Sequence, residues 1–226
     1  MKESFLLNSG AWSIGEKPPQ ADYDGIIHVL EGGVWDIEDE EIALPPGWHV
    51  VAPLLTGRDE LAGCGTTSAA LSFGGRQGSN NETERYNGTS WSVGGNLITA
   101  RRNLAGCGTA DAALSFGGYN SPDAKNETEH YNGTSWSPGG SMISGRTGLE
   151  GCGTSTDALN FGGFSGGFVN ATRKTESYDG TSWSSAANFN TIKMDHAGCG
   201  RAISALLIGG SSGSGGTPGC EAYGGP

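Results

Sequence analysis

Short apolar runs recur along the chain, and each closes on a pair of glycines. The runs read AALSFGG, AALSFGG, DALNFGG and SALLIGG. Each follows a Gly-Cys-Gly triplet, and the cysteine always precedes the first glycine of the pair by ten residues. Short apolar runs bounded by glycine are typical of strands, so this rigid spacing predicts two antiparallel strands joined by a turn of fixed length. The paired glycines are Gly74 and Gly75, Gly117 and Gly118, Gly162 and Gly163, and Gly209 and Gly210.

The second half of each unit carries a tyrosine and a tryptophan on either side of a turn. The motif reads TERYNGTSWS, TEHYNGTSWS and TESYDGTSWS, and a last copy stops at CEAYGGP. Asn-Gly and Asp-Gly between strand residues favour a type I′ hairpin, in which both central residues have positive φ. We expect the tyrosines to end a third strand and the tryptophans to lie on a fourth. These residues are Tyr86, Trp91, Tyr131, Trp136, Tyr178, Trp183 and Tyr223.

The repeat predicts an all-β protein built from four-stranded antiparallel units. A small sheet that is apolar on both faces cannot bury its surface alone, but copies arranged around an axis can pack on two neighbours. We therefore expect a β-propeller whose repeats span about 53–95, 96–140, 141–187 and 188–226. Residues 1–52 form a separate N-terminal part.

Two N-terminal tryptophans compete for the fourth strand that the last unit lacks. Trp48 precedes Arg58 by ten residues and Cys64 by sixteen, as the other tryptophans precede their counterparts; this choice gives four blades and leaves residues 1–44 as an acidic appendage or anchor. Trp12 lies in SGAWSIG, which is similar to TSWSVG; this choice makes residues 16–52 a degenerate fifth blade. We favour five blades and keep four as the alternative. Either way, an N-terminal strand is expected to pair with the C-terminal blade and close the ring.

Composition and charge exclude several classes of protein. The chain has 41 glycines but only 9 prolines and no Gly-X-Y period, which excludes collagen. The net charge is −11, and no basic stripe is present to neutralise phosphates, so we expect no nucleic acid partner. No apolar run reaches the roughly 18 residues of a membrane span, and the N-terminus is too polar for a signal peptide. We expect that the chain does not insert into a membrane. We also expect that it is assembled in the host cytoplasm.

The cysteines and histidines do not form the patterns that metal or catalytic sites need. The repeat cysteines are 43, 45 and 47 residues apart, which matches no zinc motif, so we interpret them as small buried side chains in a reducing compartment. The four histidines occupy unrelated repeat positions, and no nucleophile elbow, phosphate loop or zinc helix is present. The sequence therefore predicts no catalytic residues, no metal and no cofactor.

The loops between the glycine pair and the third strand differ from unit to unit. They all leave the same edge of their blades, and binding residues concentrate on loops held by a rigid scaffold. Aromatic rings beside polar side chains suit stacking on sugar rings and hydrogen bonding to hydroxyls, although solvated loops without a ligand would look the same. The candidate ligand-binding residues on these loops are Tyr119, Asn120, Asp123, Phe164, Phe168 and Asn170.

A second candidate site is a pair of basic residues in the last unit. His196 stands where the other units have leucine, and Arg201 stands where they have threonine. On an inner strand the two could form a cationic spot near the axis that attracts a carboxylate or a sulfate. Sequence drift at a tolerant position is the alternative interpretation.

An apolar strand ending in Gly-Gly, followed by tyrosine, tryptophan and then a basic residue, resembles the kelch repeat. The basic residues are Arg101, Arg146 and Lys193, each ten residues after its tryptophan. Tyrosine and tryptophan are five positions apart here, closer than in most kelch repeats, which implies a tighter turn between the third and fourth strands.

The near-identity of neighbouring Gly/Ser/Thr-rich copies also resembles the kelch-like arrays of bacteriophage tail-fibre and other virion proteins. This resemblance implies a non-enzymatic structural or adhesion protein of a virion, which we expect to be part of a homo-oligomeric assembly. Its expected partners are other virion proteins and a host-surface glycan. An intracellular kelch-like scaffold that binds a protein partner is the alternative.

Overall fold

The computed structural model describes residues 48–166, 170–193, 196–211, 216 and 218–225, together with three strands within residues 1–47. The described residues form strands, turns and irregular segments and contain no helix, which confirms the all-β expectation. Accordingly, no helix that could span a membrane occurs in the described part of the chain. The chain divides into two compact units, residues 1–50 and residues 51–226.

The N-terminal unit contains one three-stranded antiparallel sheet. Its strands β1 (Ser4–Leu6), β2 (Ile26–Val29) and β3 (Trp35–Glu38) pair in chain order. Strand β2 lies within residues 16–52, the part that the five-blade arrangement assigns to a degenerate blade. Trp12 lies outside the described residues. Trp48 is fully exposed, at 104%, and belongs to no strand, so the structure does not place it on the fourth strand that its spacing predicts.

The second unit is a propeller arrangement of four antiparallel sheets, each a simple meander, as the repeat predicts. The strands of blade 1 are β4 (Ala62–Gly65), β5 (Ala70–Phe73), β6 (Thr83–Tyr86) and β7 (Trp91–Val93). Those of blade 2 are β8 (Ala105–Gly108), β9 (Ala113–Phe116), β12 (Thr128–Tyr131) and β13 (Trp136–Pro138). Those of blade 3 are β14 (Glu150–Gly153), β15 (Ala158–Phe161), β18 (Thr175–Tyr178) and β19 (Trp183–Ala186). Those of blade 4 are β20 (Ala197–Arg201), β21 (Ser204–Ile208) and β22 (Cys220–Gly224).

The turn between the third and fourth strands is a hairpin, but it is not of type I′. Gly88 has a φ of 95°, whereas Asn87 is not among the residues with positive φ. The Asn87 side chain instead accepts hydrogen bonds from the backbone N–H groups of Thr89 (2.9 Å) and Ser90 (2.8 Å). An asparagine that caps the turn through its side chain needs no left-handed backbone of its own, which is the physical reason for the difference.

The same aromatic cluster interlocks blade 1 with blade 2 and blade 2 with blade 3. Trp136 of blade 2 lies edge-on to Phe73 of blade 1, with ring centroids 5.0 Å apart, and donates its indole N–H to the Thr83 hydroxyl at 3.0 Å. A Cβ on Gly106 would lie 2.3 Å from the Phe73 ring, so this position must be glycine for the blades to approach. The same geometry joins blade 2 to blade 3 through Trp183.

A buried ion pair holds each of the first three blades to the segment that enters it. The Arg101 side chain is 0% exposed and donates to the Glu129 carboxylate at 2.8 Å. It also donates to the Ser115 hydroxyl and to the carbonyls of Gly117 and Glu127. Glu129 in turn accepts from the backbone N–H groups at positions 98 and 99. The pair is therefore satisfied on both sides, the condition under which a buried charge is tolerated.

Blade 4 departs from the other three. Lys193 replaces the arginine and lies 3.8 Å from Glu221. Leu207 stands where blade 2 has Ser115, so an arginine there would lose one acceptor. Its sheet has three strands among the described residues, and Leu206 and Ile208, whose counterparts in blade 2 are fully buried, are 38% and 40% exposed.

The inner strands pack in the order β4, β8, β14 and β20. Among the described residues, β20 and β4 do not pack extensively on each other, so the face of blade 4 that carries Leu206 and Ile208 is uncovered there.

Candidate functional site

In blades 1, 2 and 3, the loop that follows the glycine pair is anchored at its base by a two-way backbone bridge. Tyr119 donates to the Arg102 carbonyl at 2.7 Å, and Arg102 donates back to the Tyr119 carbonyl at 3.1 Å. Phe164 and Thr147 make the same bridge in blade 3, at 2.8 and 2.9 Å. Each loop is thus tied to the segment that enters its own blade. We call the surface formed by these loops and entering segments the loop face.

The loop-face segments of neighbouring blades are also joined to one another. The backbone N–H of Asn103 donates to the Glu60 carbonyl at 2.8 Å, and the N–H of Gly148 donates to the Asn103 carbonyl at 2.9 Å. Blades 1, 2 and 3 are therefore connected in series below the loops. The aromatic loops of blades 2 and 3 consequently stand on adjacent, hydrogen-bonded segments.

A charged network surrounds Tyr119 on this face. The Arg102 guanidinium lies 4.9 Å from the centroid of the Tyr119 ring and 2.5 Å from the Glu60 carboxylate. Arg76 pairs with Asp59 at 2.8 Å, and the hydrogen bond from Arg76 holds the pKa of Asp59 below its ordinary value. The ring of Tyr119 is half-buried, and the contact with the Arg102 cation favours its observed orientation.

Most of the candidate residues on the loops lie on two short hairpins. In blade 2, β10 (Tyr119–Asn120) pairs with β11 (Asp123–Ala124), and Asn120 and Asp123 face each other in register as exposed residues. In blade 3, β16 (Phe164–Ser165) pairs with β17 (Asn170–Ala171). Phe164 is half-buried and Asn170 is exposed. Phe168 lies outside the described residues.

His196 and Arg201 are in different environments. The His196 ring is 5% exposed and stacks on Phe161 of blade 3, with centroids 5.8 Å apart and an interplanar angle of 30°. A Cβ on Gly162 would lie 2.3 Å from this ring, just as a Cβ on Gly117 would lie 2.8 Å from Leu149. His196 therefore fills the leucine position inside a blade junction and is not on the surface. Arg201 is exposed at the end of β20.

The cysteines are all free thiols, and their burial falls off at blade 4. Cys107 and Cys152 are buried, Cys64 is half-buried, and Cys199 and Cys220 are exposed. Burial raises the pKa of Cys64 to about 12 and that of Cys152 to about 11, so both are protonated at neutral pH. Cys199 is exposed because no described strand covers its face of blade 4. No cluster that could hold a metal ion occurs in the described part of the chain.

Glu150 is an acidic residue at a position that is alanine in the other three units. Its Cβ lies 3.4 Å from the position of a Cβ on Gly198, which places it at the junction of blades 3 and 4. Burial raises the pKa of its carboxyl from the ordinary value of 4.5 to about 7. The folded protein consequently binds more protons than the unfolded chain between these two pH values.

We expect the contribution of Glu150 to make the free energy of unfolding fall as pH rises from about 4.5 to about 7. In this window the folded protein binds more protons than the unfolded chain, so removing protons from solution favours unfolding. Glu150→Gln should abolish this contribution. The measurement is urea unfolding of wild type and Glu150→Gln at several pH values from 4 to 8. The stability advantage of the variant should grow through this window and then level off. Parallel pH profiles for the two proteins would contradict the assignment.

The buried glutamates are the residues that sequence reasoning missed. The sequence contains both halves of each pair at fixed repeat positions, a glutamate two residues before the tyrosine and a basic residue ten after the tryptophan. Of the two positions, only the basic residue is part of the resemblance to the kelch repeat. In the structure, Glu84, Glu129 and Glu176 each form a buried ion pair with the basic residue of their blade.

The geometry defines a β-propeller of four antiparallel blades, three of which have four strands in the described part of the chain, with variable loops at one edge of the blades. A scan against protein-family models and a search of curated proteins both gave no match for this chain.

Proposed function

We propose that this chain is a non-enzymatic binding protein of the kelch-like type, that its loop face binds a glycan on a host surface, and that it is a component of a bacteriophage virion. The virion assignment rests on the resemblance of its repeats to tail-fibre arrays. The glycan assignment rests on the aromatic hairpins of blades 2 and 3.

The observation that carries the proposal is that the contacts within and between the blades repeat, whereas the sequences of the loops differ. The blades repeat the same buried ion pair and the same tryptophan junction, while the loops vary in sequence on top of them. Tyr119 presents an aromatic ring held by the cation of Arg102, and Asn120 and Asp123 supply exposed amide and carboxylate groups beside it. A fixed ring flanked by such groups suits the apolar face and the hydroxyls of a sugar.

A non-enzymatic role is supported by how the described charged residues are used. Most of the buried charges belong to the structural pairs within the blades, and the charges around Tyr119 are paired with one another. The same face with its exposed ion pairs would also suit a protein partner, which is the role expected of an intracellular scaffold.

We expect Tyr119→Ala to weaken glycan binding by about tenfold or more, because it removes an aromatic anchor from the loop face. The chain is first screened on a glycan array, and affinities for the best glycan are then measured by calorimetry. Val93→Ala is the matched control, since Val93 is an exposed apolar residue on an outer strand. Both variants should keep the wild-type melting temperature.

Two results would contradict parts of the proposal. If the wild-type chain binds no glycan on the array, or if Tyr119→Ala binds as well as wild type, the glycan assignment fails. If mass spectrometry of purified particles from the source phage does not detect the chain, the virion assignment fails, and an intracellular scaffold becomes the better assignment.

A further inference from the structure

Two of the hairpin turns between the third and fourth strands contain the dipeptide Asn-Gly. They are Asn87-Gly88 in blade 1 and Asn132-Gly133 in blade 2, both within the segment YNGTSWS, and the dipeptide occurs nowhere else in the sequence. Both asparagines are exposed. The side-chain amide of asparagine converts to an acid most readily before glycine, because glycine has no Cβ to hinder attack by its backbone nitrogen.

The conversion needs only water. The Gly88 nitrogen gives up its proton and forms a bond to Cγ of Asn87, and the carboxamide C–N bond then breaks and releases ammonia. Water opens the resulting succinimide ring at either carbonyl, which leaves aspartate or isoaspartate at this position. Negative charge develops on Oδ1 of Asn87 as the new bond forms, and the backbone N–H groups of Thr89 and Ser90 already donate to this oxygen, at 2.9 and 2.8 Å. Donors aimed at a developing oxyanion stabilise it.

Blade 3 shows that the turn accommodates the aspartate product. Asp179 stands at the corresponding position, and its Oδ1 accepts from the N–H groups of Ser182 at 2.7 Å and Thr181 at 2.8 Å. These hydrogen bonds hold the pKa of Asp179 below its ordinary value. The backbone bond across the turn is 3.2 Å long here, as it is at Asn87. A chain with aspartate at position 87 is therefore expected to keep its fold.

The turn at Asn132 is tied to the neighbouring blade. Arg85 of blade 1 donates a hydrogen bond to the Gly133 carbonyl and pairs with Asp111 of blade 2 at 2.5 Å. Gly133 is half-buried beneath this contact. Closure of the succinimide ring requires the backbone between asparagine and glycine to rotate, and the guanidinium on the glycine carbonyl resists that rotation.

In the described part of the chain, the turn at Asn87 has no clamp of this kind. The Gly88 carbonyl accepts from the Tyr86 hydroxyl at 2.9 Å, a contact within the same hairpin that can move with it. The residue of blade 4 that corresponds to Arg85 is Ala222, which has no donor on its side chain. Gly88 is fully exposed, so its nitrogen is open to water.

We propose that Asn87 is a site of spontaneous deamidation in the folded protein and that Arg85 protects Asn132 from the same reaction. The modification adds a negative charge at the edge of blade 1 opposite the loop face, since strand β6 begins at Thr83 beside the loop and ends at Tyr86 beside the turn. The site is separate from the loop face and does not depend on its ligand.

The test measures both asparagines in one sample of the full chain. The protein is incubated at mildly alkaline pH, portions are digested with chymotrypsin, and tandem mass spectrometry gives the fraction of aspartate and isoaspartate at each position. Asn87 should convert severalfold faster than Asn132. The control is the same chain in guanidinium chloride, where the two should convert at equal rates because the residues around them are identical from tyrosine to serine.

Arg85→Ala should raise the rate at Asn132 severalfold, towards the rate at Asn87. Arg85→Lys should protect Asn132 only in part, because it keeps the charge but loses the fork that reaches both acceptors. Circular dichroism of each variant checks that the chain is folded.

Three results would overturn the proposal. One is an equal rate at the two asparagines in the folded chain. Another is that Asn87 stays unmodified in the folded chain over the time in which the unfolded chain converts. The third is that Asn132 reacts as slowly in folded Arg85→Ala as in wild type, which would show that Arg85 is not the protecting group.

Discussion

Replacing Arg101 with methionine is expected to lower the free energy of unfolding by about 3–5 kcal/mol, because it leaves the Glu129 carboxylate buried without its cation. The Arg101 and Glu129 side chains are 0% and 3% exposed, so water cannot substitute for the lost guanidinium. The substitution also removes hydrogen bonds to the Gly117 carbonyl and the Ser115 hydroxyl. The measurement is equilibrium unfolding in guanidinium chloride.

The control for this prediction is Arg76→Met, the same change in a pair that is exposed to water. Arg76 and Asp59 are about half exposed, and water screens an exposed pair, so this substitution should cost much less than Arg101→Met. A second variant, Glu129→Gln in the Arg101→Met background, should recover part of the loss because it removes the uncompensated charge. Equal losses for Arg101→Met and Arg76→Met would show that the buried pair does not hold the blade together.

Trp136→Ala is expected to cost about 3–5 kcal/mol, the range for truncating a large buried aromatic side chain. The indole joins two blades, through Phe73 and Thr83 on one side and Tyr131 on the other. Its loss leaves a cavity at the junction and an unpaired threonine hydroxyl. Thermal and chemical unfolding of wild type and variant provide the measurement.

Trp48→Ala is the matched control, because this tryptophan is fully exposed and lies on no strand. It should change the free energy of unfolding by less than about 0.5 kcal/mol, as surface substitutions usually do. A loss as large as that of Trp136→Ala would contradict the structure and favour the four-blade arrangement in which Trp48 completes the last blade.

The meander of each blade could be predicted from the sequence because its strands are neighbours along the chain. Cys107 pairs with Leu114 and Tyr131 with Trp136, and both contacts close within a few residues. The turn type could not be predicted from Asn-Gly alone. The Asn87 side chain accepts two backbone hydrogen bonds that stabilise the turn. Asn87 therefore does not adopt the positive φ that a type I′ turn would require at this residue.

The ion pairs were harder to predict because their members are distant in sequence and because charged residues are usually solvated. Arg101 and Glu129 are 28 residues apart. A clue was nevertheless available in blade 4, where Lys193 and Leu207 replace the arginine and the serine together. A correlated change of this kind is what a direct hydrogen bond between the two positions would produce.

The sequence repeat predicts that the candidate loop residues lie at the same edge of their blades. The structure adds the contacts that hold these residues in place. The bridge from Tyr119 to Arg102 and the cation under the ring depend on the packing of one segment against another. His196 shows the limit of reasoning from residue type. Its charge-bearing ring suggested a binding site, but the position that it occupies holds a buried leucine in blades 2 and 3, Leu104 and Leu149, and the structure buries His196 in the same way.

The tryptophan junction has two different halves, a donor face that offers an indole and an acceptor face that offers phenylalanine and threonine. Contacts of this head-to-tail kind can propagate without limit when the last unit of one molecule still carries an acceptor for the first unit of the next. In blade 4 the acceptor positions hold Ile208 and Cys220 in place of phenylalanine and threonine. Blade 4 therefore lacks both the ring and the hydroxyl that an indole contacts in blades 1 and 2, so this face of blade 4 is a poor acceptor for the tryptophan of a second molecule.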